Sequence, residues 1–160
     1  MTDLIKDRPI VIVEDSDEDF EVLIWALRQA DVTNPIHRCA NAEAVLGMTA
    51  KQGSGPASIM GLYPALISLD LNVPGTDWQE TLSAFRSNPW WRPVPVVVIS
   101  TSGQRATIAA CYALGASGYL QKPLNLDELA AAIKQLATYW LKTVRLPAFP
   151  PDIRKGGGSP

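Results

Sequence analysis

The sequence predicts an α/β fold in which five parallel strands form one sheet covered on both faces by five helices. Three observations predict it. Short β-branched apolar runs without polar alternation, such as "PIVIV" at 9–13 and "PVVVIS" at 95–100, mark strands buried on both faces. Between such runs lie stretches whose apolar residues recur at three- and four-residue steps, as helices require. The connections are short, and regular β-α alternation of this kind builds a parallel sheet.

The first strand ends at Glu14-Asp15. "SDEDFEVLIWALRQA" follows as a helix, with Ser16 and a run of acids at its positive end and Phe20, Leu23, Ile24 and Leu27 on one face. The acids at 17–21 read as a solvated helix start. "PIHRCA" is a weaker second strand, "NAEAVLGMTA" a short helix and "KQGSGPASIMG" a surface loop. The third strand spans 66–70, and its helix "DWQETLSAFRS" is capped by Asp77 or Thr76. After the fourth strand, "GQRATIAACYALGA" is a helix stopped near Gly115, and "SGYLQ" is a short fifth strand. Asn125 caps the final helix, "NLDELAAAIKQLATYWLKTV".

That last helix carries an apolar stripe through Leu126, Leu129, Ile133, Leu136, Trp140 and Val144. The core of one domain needs only its first three turns. Trp140, Leu141 and Val144 are therefore expected to lack an internal partner and to form an interface. Residues 1–141 are read as the domain and 142–160 as an extension that cannot stay helical past Pro147.

A chain of 160 residues suffices for one full core, and a net charge of −2 gives no electrostatic drive toward nucleic acid. No apolar run approaches the ~20 residues of a membrane span. "MTDLIKDRP" lacks the apolar segment of a secretory signal. Cys39 and Cys111 lie far apart and are expected to be buried reduced thiols, as in a cytoplasmic protein. His37, the single histidine, and Trp25, Trp90 and Trp91 are assigned packing or surface roles.

"LISLDLNVPG" carries the chemistry, because an apolar strand runs straight into a carboxylate, Asp70. Burying an ionised carboxylate costs several kcal/mol unless something compensates. In a parallel sheet, function gathers at the carboxyl ends of the strands. Those ends supply Glu14 and Asp15, then Asp70, then Ser100 and Thr101, then Lys122-Pro123. Three acids in one pocket repel unless a cation sits among them, and an all-oxygen site with access to water suits Mg²⁺.

Together, "VIVEDS", "LISLDLNVPG", "VPVVVISTS" and "GYLQKPLNLDEL" resemble the receiver domain of two-component response regulators, over roughly residues 9–140. The resemblance implies a flavodoxin-like topology with strand order 2-1-3-4-5. It implies that Asp70 is the phosphoacceptor for a partner histidine kinase and that the protein is not an enzyme acting on a separate substrate. Asp15 would bind Mg²⁺ directly, Glu14 directly or through water, and Asp70 and the Asn72 backbone carbonyl would complete the ligands. Lys122 would neutralise charge on the phosphoryl oxygens, Ser100 would hydrogen-bond one of them, and Tyr119 would be the switch aromatic.

Some positions depart from the family. Glu14 stands for the commoner aspartate and Ser100 for threonine; Thr101 replaces a small residue, and Thr76 and Trp78 replace smaller or more flexible ones. None removes a group the chemistry needs, so phosphorylation is expected to survive, with the phosphoryl lifetime left open by these changes.

The ending around Trp140-Leu141, the long loop before the third strand and "VVVISTS" resemble a narrower group. These are single-domain regulators serving bacterial phytochromes and related hybrid kinases. That likeness implies a phytochrome-type histidine kinase as partner. It also implies a homodimer built from the helix in 103–116, the strand in 117–121 and the last helix with its extension. Two other readings remain at this point. An aspartyl-nucleophile phosphatase would carry a DxD pair on its first strand and normally a cap domain. A receiver-like scaffold would never be phosphorylated.

Overall fold

Val11 and Val13 face one apolar layer while Ile10 and Ile12 face the other, so the first strand has no solvent side to which polar residues could turn. The same holds for the fourth strand up to Ile99 and for the third apart from the buried Ser68, which explains why their sequences are almost wholly apolar. A computed structural model of the chain describes residues 5–41, 44, 64–75 and 77–147. Its strands are β1 (Ile10–Val13), β2 (Ile36–Cys39), β3 (Leu66–Leu69), β4 (Val96–Ser100) and β5 (Gly118–Gln121). They form one parallel sheet in the order β2-β1-β3-β4-β5, as expected.

Four α-helices lie within the described residues: α1 (Asp17–Gln29), α2 (Trp78–Ser87), α3 (Arg105–Ala113) and α4 (Leu126–Thr138). Leu23, Ala26 and Leu27 of α1 and Leu129, Ile133 and Ala137 of α4 cover one face of the sheet. On the other, Leu82 and Phe85 of α2 and Cys111 of α3 pack with Trp91, whose ring centroid lies 5.4 Å from that of Phe85. Burial of each large apolar side chain contributes about 1.5–3 kcal/mol. Trp91 thus packs in the core, and both cysteines are buried and unbridged. No helix among the described residues is long and apolar enough to cross a membrane.

The helix starts follow their caps. Ser16 Oγ accepts the Asp19 N–H at 3.2 Å, and Asn125 Oδ1 accepts those of Asp127 at 2.8 Å and Glu128 at 3.1 Å. Asp77 caps α2 by accepting the Gln79 N–H at 2.9 Å; Thr76 lies outside the described residues. Past α3, Gly115 has φ +98°, and a Cβ there would stand 2.9 Å from Arg86 Cγ. Of the expected helix at 41–50 only Asn41 and Ala44 are described, with the Ala44 N–H on Asn41 Oδ1 at 2.9 Å. The expected loop at 51–61 and residues 148–160 also lie outside the described residues.

One expectation is corrected at the carboxyl end. The final helix does not run regularly to Val144; α4 stops at Thr138 and Tyr139–Thr143 form one turn of π-helix. The Val144 N–H reaches back five residues to the Tyr139 carbonyl at 3.0 Å. This wider turn turns each residue through a smaller angle, and the adjacent Trp140 and Leu141 both pack against the α1–α4 layer. They are therefore not without an internal partner. Beyond them, Arg8 binds the carbonyls of Pro64 at 2.8 Å and Pro147 at 3.2 Å, fastening the segment after the helix to its own domain.

Candidate functional site at the carboxyl edge of the sheet

Strand register builds the site. Val13 pairs with Leu69, so the next residues, Glu14 and Asp70, leave neighbouring strands together. Main-chain hydrogen bonds continue the ladders past the strand ends. The Asp70 N–H donates to the Val13 carbonyl at 3.1 Å, the Glu14 N–H to Cys39 at 3.0 Å and the Lys122 N–H to Ser100 at 2.7 Å. Residues more than a hundred positions apart are thus fixed to one rigid edge.

Asp70 is 6% exposed and both its oxygens are held. Oδ1 accepts the Asn72 N–H at 2.8 Å, and Oδ2 accepts Lys122 Nζ at 2.9 Å. Lys122 also lies 3.5 Å from Glu14 Oε2 and 3.6 Å from Asp19 Oδ2. Burial pushes the Asp70 carboxyl up, but Glu14, the Asn72 N–H and Lys122 together hold it below the usual carboxylate range. Glu14 goes the other way: burial first, and then the Asp70 carboxylate beside it, push it up to about 8. Burial opposes the charge on Lys122, yet Asp70, Glu14 and Asp19 hold its ammonium above the ordinary lysine value.

The donor set fits a hard divalent ion. Glu14, Asp19 and Asp70 each offer a carboxylate oxygen, and the three lie within 4.8 Å of one another. Glu14 Oε2 is buried beside the Lys122 ammonium without a hydrogen-bond partner, which leaves one oxygen in the cluster open to a cation. All-oxygen, carboxylate-rich sites of this kind suit Mg²⁺ or Mn²⁺.

Glu14, Asp70 and Lys122 meet as expected. Asp15 does not join them: its side chain is exposed and stands outside the cluster, and Asp19 takes the third place. Asp19 is the third residue of α1, where side chains tilt toward the amino end of the helix and hence back over the strand ends. That position within the first turn was the signal in the sequence. Asn72 contributes its N–H to Asp70, and Thr101 is exposed. Ser100 is buried and its Oγ accepts the Ser102 N–H at 3.2 Å. The half-buried Tyr119 ring packs on the α2–α3 layer, and its hydroxyl donates to the Ser102 carbonyl at 2.7 Å. Ser100 and Tyr119 therefore hold the same loop from two sides.

Residues 10–134 match the response regulator receiver domain family. The chain belongs to this family. Response regulator Rcp1 of Synechocystis is 33% identical over 139 residues, which are 87% of this chain and 92% of that protein. The crystal structure of the Mn²⁺-bound form of Rcp1 superposes with a TM-score of 0.75 at 32% identity, covering 88% of this chain and 99% of that one. The phosphorylated cyanobacterial phytochrome response regulator RcpA gives a TM-score of 0.78 at 30% identity, over 89% and 99% of the two chains. This receiver thus shares its fold with regulators crystallised with a metal and in a phosphorylated form.

Proposed function

We propose that this receiver accepts a phosphoryl group on Asp70 from a histidine kinase in a Mg²⁺-dependent reaction, and signals by protein contact or by passing that group on. One observation carries the reading. A buried carboxylate is held by an ammonium and a main-chain N–H beside two further acids, at the β1/β3 edge where a parallel sheet places its chemistry. The Asp70 carboxylate attacks phosphorus, the P–N bond of a phosphohistidine breaks, and the imidazole leaves with the bonding pair. Lys122 and the Asn72 N–H orient the nucleophile, and Lys122 then follows the charge onto the phosphoryl oxygens. Glu14, Asp19 and Asp70 would hold the Mg²⁺, with Asp15 at the rim and the Asn72 carbonyl completing the set. When bound, the ion neutralises charge on the acids and on the transferred group.

Ser100 Oγ would turn from the Ser102 N–H to a phosphoryl oxygen. Because Tyr119 binds the carbonyl of that same Ser102, the loop change reaches the α3–β5 face. Similarity to RcpA, a phytochrome response regulator, supports a phytochrome-type histidine kinase as the donor, and both partners would meet in the cytoplasm. Tyr112, 52% exposed, lines a groove together with Tyr119, Leu136 and Trp140. That groove is where a second copy would dock to form the homodimer. No role for nucleic acid or membrane is needed.

The test is a phosphotransfer profile against the histidine kinases of the source organism, with a phytochrome-type kinase expected to label the protein fastest. A rival activity, turnover of p-nitrophenyl phosphate by an aspartyl phosphatase, is expected to be negligible, since the first strand ends in Glu14-Asp15 rather than a DxD pair. Sustained turnover would overturn the assignment as a signalling module.

A further inference from the structure

Arg38, at the end of β2, makes four contacts with the turn that leads from β1 into α1. Its Nε donates to the Glu14 carbonyl at 3.1 Å, Nη2 to the Asp15 carbonyl at 3.1 Å and Nη1 to Asp17 Oδ1 at 2.7 Å. The guanidinium carbon also lies 4.6 Å from the centroid of the Phe20 ring. Only a planar fork of several donors can serve two carbonyls and a carboxylate at once; a lysine ammonium cannot match that geometry.

The turn so held ends at the site. The Ser16 N–H donates to Glu14 Oε1 at 3.2 Å, which fixes one carboxylate oxygen to the turn and leaves Oε2 facing Lys122 and the acids. We propose that Arg38 is a positioning residue for the acidic centre: by clamping the Glu14–Asp17 turn from β2, it sets the direction of the Glu14 carboxylate toward a divalent ion. The Arg38 guanidinium binds the turn and not the Asp70 carboxylate, so it acts through main chain. The inference rests on the metal-binding reading above.

The experiment is calorimetric titration of the full chain with Mn²⁺, alongside the melting temperature in EDTA, for wild type, Arg38→Met and Arg38→Lys. Arg38→Met keeps an apolar stem over Phe20 and removes every donor; Arg38→Lys keeps stem and charge and removes the fork. Both variants are expected to bind Mn²⁺ about tenfold or more weakly, the usual effect of losing a residue that orients a ligand. If Arg38 acted only through its charge, Arg38→Met would bind more tightly and Arg38→Lys like wild type. If it served stability alone, the melting temperature would fall with unchanged affinity. Either result overturns the proposal. Should Arg38→Met not fold, Arg38→Lys decides by itself. Failure of the wild type to bind Mn²⁺ would sink the metal reading instead, which separates the two claims.

Discussion

Lys122 Nζ donates to Asp70 Oδ2 at 2.9 Å across 52 positions of sequence, and the same nitrogen lies within 3.6 Å of Glu14 and Asp19. One ammonium therefore serves three acids, two of them buried. Its removal would leave those acids without their nearest cation, and breaking a buried pair of this kind costs about 3–5 kcal/mol. Lys122→Met should lower the urea midpoint in EDTA by a corresponding amount. Added Mg²⁺ should recover a large part of it, while phosphorylation by acetyl phosphate stays strongly reduced. Full phosphorylation of the variant would remove Lys122 from the chemistry.

Glu14 makes the metal-free protein sensitive to pH. Its folded-state pKa of about 8 lies above the ordinary 4.5, so the folded state keeps a proton that the unfolded state releases. The associated stability is complete below about pH 4.5 and is lost as pH rises through about 8. In EDTA the urea midpoint should fall between pH 5 and pH 8, and Glu14→Gln should flatten that slope. Mg²⁺ affinity should rise over the same window with release of a proton, read by calorimetry in buffers of different ionisation enthalpy. A flat EDTA profile in the wild type would contradict the assignment.

Trp140 and Tyr112 separate self-packing from dimerisation. Trp140 packs on its own core, so Trp140→Asp should cost about 3 kcal/mol or more in stability, whatever it does to assembly. Tyr112 is exposed, and Tyr112→Glu should leave stability within about 0.5 kcal/mol. Light scattering should give twice 17.3 kDa for the wild type and 17.3 kDa for Tyr112→Glu. A wild type of 17.3 kDa at micromolar concentration would end the dimer proposal.

Tyr119 should couple the site to the α3–β5 face through its hydroxyl. Tyr119→Phe loses one hydrogen bond, to the Ser102 carbonyl, worth about 1 kcal/mol, and keeps the ring in its layer. Labelling of Asp70 should be unaffected. Any phosphorylation-dependent change in association should weaken, read by light scattering with and without acetyl phosphate.

The sheet was legible because its central strands are short, β-branched apolar runs bounded by turn residues, and because helical stretches alternate with them. The site was legible because Glu14, Asp70 and Lys122 each stop or follow such a strand. Asp19 was not, because an acid in the first turn of a helix already has an explanation in the helix dipole, and that explanation concealed its reach over the strand ends. The adjacency of Glu14 and Asp15 told of an acidic pair without telling which member turns inward. Nor does "LATYWLKTV" signal a π-turn, since α and π turns draw on the same residues and differ only in which carbonyl the N–H finds.

Asp70 is the one residue without which no phosphoryl group can be accepted at this site. Wild-type protein and Asp70→Asn should be incubated with acetyl phosphate and Mg²⁺ and weighed intact by mass spectrometry. The wild type should gain the mass of one phosphoryl group, dependent on the metal and lost on exposure to alkali, and Asp70→Asn should gain none while retaining its circular dichroism spectrum. Labelling of Asp70→Asn to the wild-type level would place the acceptor elsewhere and contradict the reading of this site.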